Sequence, residues 1–250
     1  MRKLLIGALA GAVVLAVAAV AMATTTQTFK QTYSAAKPNK STGTSFKTTS
    51  SEDNNPDKNN QPKATREFDI KFPAGTKINT SAAPACSNLD ESSDDVCPKN
   101  TKVGSGHATV LLPYPGTVPI DALVTAYNRK QGSEKGLFLY VVPQFPNQAP
   151  VVLKPKWSGL TLKTATPPNC IASTNQNGRC VDSSGNPGAE AVLTEFDLKT
   201  KAVTKGKGKK KKIFLKTPSK CTKAGWTFKA SITYDDGTKN TPAYTQKCSK

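Results

Sequence analysis

The sequence predicts an all-β protein: an antiparallel β-sandwich (one large or two small), stapled by disulfides and preceded by a disordered polar tether. Three observations carry this. Short segments alternating apolar and polar residues recur along the chain, separated by clusters of Gly, Pro, Asn and Asp. No stretch after residue 23 sustains the apolar period of a helix. All six cysteines (Cys86, Cys97, Cys170, Cys180, Cys221 and Cys248) lie in that same part.

Arg2 and Lys3 precede an apolar run from Leu4 to Val20, and Ala21 and Ala23 flank Met22 as in an A-x-A cleavage site. Residues 1–23 therefore read as a secretory signal peptide. An uncleaved anchor is the other reading, since about 20 apolar residues suffice to cross a bilayer. The cleavage site favours removal, and no second apolar segment of that length occurs downstream.

Residues 24–65 are rich in Thr, Ser, Asn, Lys and Gln. Such a composition buries too little apolar surface to offset the entropy of ordering, so it reads as a flexible tether. The folded part is expected from Arg66, where Glu67-Phe68-Asp69-Ile70-Lys71-Phe72 alternates with the period of a half-buried strand. Further strands are expected at 107–112, 120–127, 137–142, 151–157, 160–164, 191–199, 213–216, 226–234 and 243–248. The clearest is 226–234, with Trp226, Phe228, Ala230, Ile232 and Tyr234 on one face. Asp235-Asp236-Gly237 then supplies a turn, so the chain should return antiparallel. Residues 66–166 form a sandwich or its first half. Residues 167–188 are a turn-rich connector and the expected boundary, and 189–250 a β-rich C-terminal part.

Six cysteines can pair in 15 ways, and pairing between sequence neighbours is the cheapest. That gives Cys86–Cys97, Cys170–Cys180 and Cys221–Cys248, each contributing about 2–4 kcal/mol by restricting the unfolded chain. No C-x-x-C pair or Cys/His cluster favours metal ligation instead, so no metal or other cofactor is expected.

Several short motifs carry a resemblance to a known group. Lys71 to Thr80 (KFPAGTKINT), Pro84-Ala85-Cys86, Cys97-Pro98, Gly104-Ser105-Gly106, Thr217 to Cys221 (TPSKC) and Gly225-Trp226 are similar to exported, cysteine-containing β-proteins of soil actinobacteria. The likeness covers most of Arg66–Lys250. It implies an exported β-protein and carries over no active site.

The residues for catalysis are sparse. His107 is the one histidine. Ser105 is too near it in sequence for an obvious triad partner, and the G-x-S-x-G elbow is absent. Glu195 and Asp197 share a strand face, but Lys199 and Lys201 beside them favour a solvated surface over a glycosidase pair. Asp90, Glu91, Asp94 and Asp95 crowd one loop without the spacing of a calcium loop. No enzymatic activity is expected.

Charge points to a partner. The chain is formally +18, and lysine dominates over arginine. Eight lysines fall between Lys199 and Lys212, with Gly206 and Gly208 making a mobile loop the expected form. Lys205, Lys207, Lys209, Lys210, Lys211 and Lys212 are the candidate polyanion-binding residues. Lysine-rich charge favours diffuse contact with an anionic cell-envelope polymer over sequence-specific nucleic-acid reading. A solvated loop that blocks edge pairing is the competing reading. A carbohydrate-binding module using Trp157 or Trp226 is the first alternative function, and a secreted hydrolase the second. Oligomeric state stays open.

Overall fold

In a computed structural model of the chain, residues 25–52, 61–89, 96–113, 117–144, 150–168, 170–171, 174–176, 179–181, 183–184 and 189–249 are described. Residues 1–23, expected to be a signal peptide, and the acidic loop residues 90–95 lie outside them. The strands run β1 (Thr25–Tyr33), β2 (Thr44–Glu52), β3 (Thr65–Lys71), β4 (Lys77–Ile78), β5 (Lys102–Pro113), β6 (Thr117–Gln131) and β7 (Glu134–Pro143). They continue with β8 (Val151–Leu153), β9 (Lys156–Ser158), β10 (Thr161–Ala165), β11 (Cys170–Ile171), β12 (Thr174–Gln176), β13 (Arg179–Val181) and β14 (Ala189–Glu190). The last are β15 (Val192–Thr200), β16 (Thr204–Lys205), β17 (Lys212–Ile213), β18 (Leu215–Lys216), β19 (Trp226–Tyr234), β20 (Lys239–Asn240) and β21 (Ala243–Gln246). Among the described residues the helical elements are single 3₁₀ turns.

The all-β, antiparallel, disulfide-stapled expectation holds. Thirteen strands form one sheet in the order β1-β2-β15-β5-β6-β7-β9-β10-β3-β19-β20, with β8 attached to β7 and β21 to β19. The sheet curls until β1 meets β21. There the Gln246 side-chain amide accepts from the Tyr33 N–H (2.8 Å) and donates to the Tyr33 carbonyl (3.0 Å). One side chain thus takes the place of a ladder rung, and the two halves of a single sheet enclose one core.

Closure by a side chain has a measurable consequence. Gln246→Ala leaves two half-buried backbone groups of Tyr33 without their partner, a loss of about 1–3 kcal/mol. Chemical denaturation of the variant is expected to show that loss as a lower midpoint.

Two expectations need correction. Of the segment read as a tether, 24–65, residues 24 and 53–60 lie outside the described residues, and the rest includes β1 and β2, which are paired in full register from Thr25↔Glu52 to Tyr33↔Thr44. Phe29, Gln31 and Tyr33 face inward from β1, and Thr44, Phe46 and Thr48 from β2. Three aromatic anchors thus stand among threonines whose hydroxyls find partners indoors. Thr48 Oγ1 donates to the Thr28 carbonyl (2.7 Å) and accepts from Gln27 Nε2, while Thr44 and Thr200 share a hydroxyl bond at 3.0 Å. Satisfied β-branched side chains suit a pleated surface, and the composition argument for disorder missed them.

The segment 167–188 is also not a boundary between two units. It carries β11, β12 and β13, and β14 comes directly after it; these strands form two small ribbons, β11–β14 and β12–β13, bridged by Cys170–Cys180. The main sheet interleaves strands from either side of it: β15 sits between β2 and β5, and β3 between β10 and β19. The single large body is what forms.

All three disulfides join sequence neighbours: Cys86–Cys97, Cys170–Cys180 and Cys221–Cys248. Cys86 and Cys97, with Leu89, Tyr127, Phe138 and Tyr140, make a second cluster outside the main core. Inside, Trp226 is 2% exposed, meets Tyr33 edge-on at 5.4 Å and donates its indole N–H to the Lys220 carbonyl (2.9 Å). Burial raises the Tyr33 hydroxyl well above its ordinary pKa, only partly offset by its bond to Thr76.

The turn after β19 forms as expected, with Gly237 at φ 81° and β20 and β21 returning antiparallel. Asp236 anchors it. Burial acts to raise its carboxyl, but bonds from Lys63 and Thr238 outweigh that and hold it at about 2, below the ordinary 3.8. A carboxylate held low stabilises the fold above its unfolded pKa, and that contribution is lost as pH falls from about 3.8 through 2. Asp69 runs the other way, because burial raises its carboxyl against the pull of Lys163. Stability measured from pH 5 to 2 should therefore fall less steeply in Asp236→Asn than in the parent. The effect is small, since solvent screens this half-exposed carboxylate.

Candidate functional site

The lysine run folds into a hairpin rather than a loose loop. Thr204 pairs with Ile213 and Lys205 with Lys212, and a 3₁₀ turn over Gly208–Lys210 closes the tip. The next two residues along the chain fix its base. Phe214 and Leu215 are buried in the core, and the Phe214 N–H donates to the Val203 carbonyl at 2.9 Å. Lys205, Lys207, Lys209, Lys210, Lys211 and Lys212 are all exposed. None of them belongs to the ion pairs seen among the described residues, so this unbroken positive field faces water.

Lys199, which begins the run in sequence, lies elsewhere. Lys199 is on β15 and borders an open hollow on the outer sheet face with Lys47, Lys102, Ser105, His107 and Asp197. His107 Nδ1 is 3.6 Å from Asp197 Oδ2, beyond hydrogen-bond length, and the imidazole side chain is 69% exposed. Ser105 shares that face two residues along β5, yet among the described residues no hydrogen bond joins it to His107.

Of the two carboxylates on the strand face, Glu195 is held by a cation, while Asp197 faces His107. Glu195 pairs with Lys47 across β15 and β2. Glu190 forms a two-pronged pair with Arg66 at the start of β3, one prong measuring 2.7 Å, and that bond raises the guanidinium pKa against the effect of burial. Among the described residues no three His, Cys, Asp or Glu side chains gather as a metal site. Of the two tryptophans, Trp226 is enclosed, and half-buried Trp157 meets Phe72 edge-on at 5.5 Å.

One feature was hidden from sequence reading. The curled sheet holds an apolar, partly open pocket of about 100 Å³ where β2, β3, β7, β10 and β15 face one another. At ~24 cal/mol per Å³ such a void costs about 2 kcal/mol if empty. No periodicity announces a void, because it is a mismatch between side chains brought together from distant strands.

Compared with protein-family models, curated proteins and solved structures, the chain matches none of them. What the fold and surface show is a curled antiparallel sheet with three disulfides and an exposed lysine hairpin. Among the described residues no helix is long and apolar enough to cross a membrane.

Proposed function

We propose that this is an exported, non-enzymatic protein of the cell envelope whose hairpin at 204–213 holds it against anionic polymers or surfaces. The observation that carries the reading is the hairpin itself: six exposed lysines without acidic partners among the described residues, on a base anchored by Phe214. Such an array binds polyanions by releasing their counterions, which needs no shaped pocket. Export rests on the leader sequence and on three disulfides, which persist in oxidising compartments.

Co-sedimentation of the mature protein with isolated cell envelopes across a salt series tests this. The variant beside it carries Lys207, Lys209, Lys210, Lys211 and Lys212 replaced by Ser. Binding that falls steeply with salt and weakens in the variant is the expected result. Binding indifferent to both would turn the assignment toward carbohydrate recognition, and no binding at low salt would remove the envelope as the partner.

A further inference from the structure

We propose that the interior cavity of the curled sheet is a binding site for a small, mainly apolar molecule, a single ring or short chain carrying one hydroxyl-type group. Size sets the first limit. The cavity measures about 100 Å³, and an apolar cavity of about 150 Å³ takes up benzene in a well-studied case. Phe46, Leu139, Leu162 and Phe196 supply apolar wall from four different strands.

Polarity sets the second limit. Gln31 and Trp157 line the same cavity, and each carries a buried polar atom with no hydrogen-bond partner. Gln31 is 2% exposed, and its Oε1 is an acceptor lacking a donor. The Trp157 indole Nε1 is a donor lacking an acceptor. Orphaned buried polar atoms are uncommon in native proteins and call for a cause. Here a residue with an unmet acceptor and a residue with an unmet donor line the same pocket. A hydroxyl can donate to the one or accept from the other. A single water, which occupies about 30 Å³, could serve the polar atoms but would leave most of the apolar wall without contacts.

Phe214 and Leu215, at the base of the hairpin, also line the pocket, but none of the six candidate lysines does, so failure of the site leaves the envelope reading untouched. Phenol and benzene are suitable probes, because they share a ring and differ by the hydroxyl. Titration followed by amide chemical shifts is expected to move resonances of inward residues such as Phe46, Leu139 and Leu162. Phenol should bind about 10-fold more tightly than benzene, the equivalent of one added buried hydrogen bond. Trp157→Phe keeps the ring and removes the N–H, and should bring that ratio close to one. Leu139→Phe fills the cavity and should abolish both responses. No inward shift with either probe up to its solubility limit would overturn the proposal. So would a phenol preference that survives unchanged in Trp157→Phe and in Gln31→Leu.

Discussion

Gly106→Ala is expected to leave little folded protein, although it adds one methyl group to a strand. A Cβ built at Gly106 falls 1.9 Å from the Asp197 backbone carbonyl oxygen. Real Cβ atoms do not come this near, so either β5 or β15 must move. Neither has room. β15 is hydrogen-bonded on both sides, to β2 and to β5, and β5 is held in turn by β6. The obstacle is backbone, which cannot rotate away as a side chain would. A loss of at least about 3 kcal/mol is expected, at the upper end for added volume in a packed site. Ser105→Val is the control. Ser105 is exposed on the outer face one residue away, where a β-branched side chain fits a strand, and its effect should stay within about 0.5 kcal/mol. Equilibrium denaturation of the two variants decides the matter.

The five-lysine replacement in the hairpin is expected to change binding strongly and stability hardly at all. Lys207, Lys209, Lys210, Lys211 and Lys212 make no ion pair among the described residues. Their side chains are exposed. Removing them relieves repulsion between like charges and breaks no core contact. The hairpin backbone should persist, since Thr204↔Ile213 and Lys205↔Lys212 pair through main-chain groups and Phe214 stays buried. Thermal unfolding should match the parent within a few degrees, while affinity for polyanions at low salt falls by a factor of ten or more, about 1.4 kcal/mol.

Much of this fold could be read from residue order. β19 was clear because Trp226, Phe228, Ala230, Ile232 and Tyr234 recur at period two and all are buried. The Asp235-Asp236-Gly237 turn was clear because positive φ at Gly237 is what that sequence permits. Disulfide partners were legible because each lies near its mate in sequence. The hidden part is nonlocal. Period two tells which face a residue takes but not which strand lies beside it, so the insertion of β15 between β2 and β5 left no mark. β1 and β2 were missed for a different reason. Their inward threonines look solvated by composition, and only the fold supplies the hydroxyl partners that let them be buried. The exposed lysines of the candidate site were visible from the start. Their gathering on a hairpin, separate from Lys199, was not.

The electrostatic reading stands or falls on the salt dependence of binding to a defined polyanion, for which random-sequence duplex DNA serves as a generic probe. Plotted as log affinity against log salt, the parent should give a steep negative slope. The five-lysine variant should reduce its magnitude by about 2–4, given a contribution of ~0.9 for each phosphate neutralised. Identical slopes for the two proteins would contradict the account, because the hairpin would then carry none of the ionic contact.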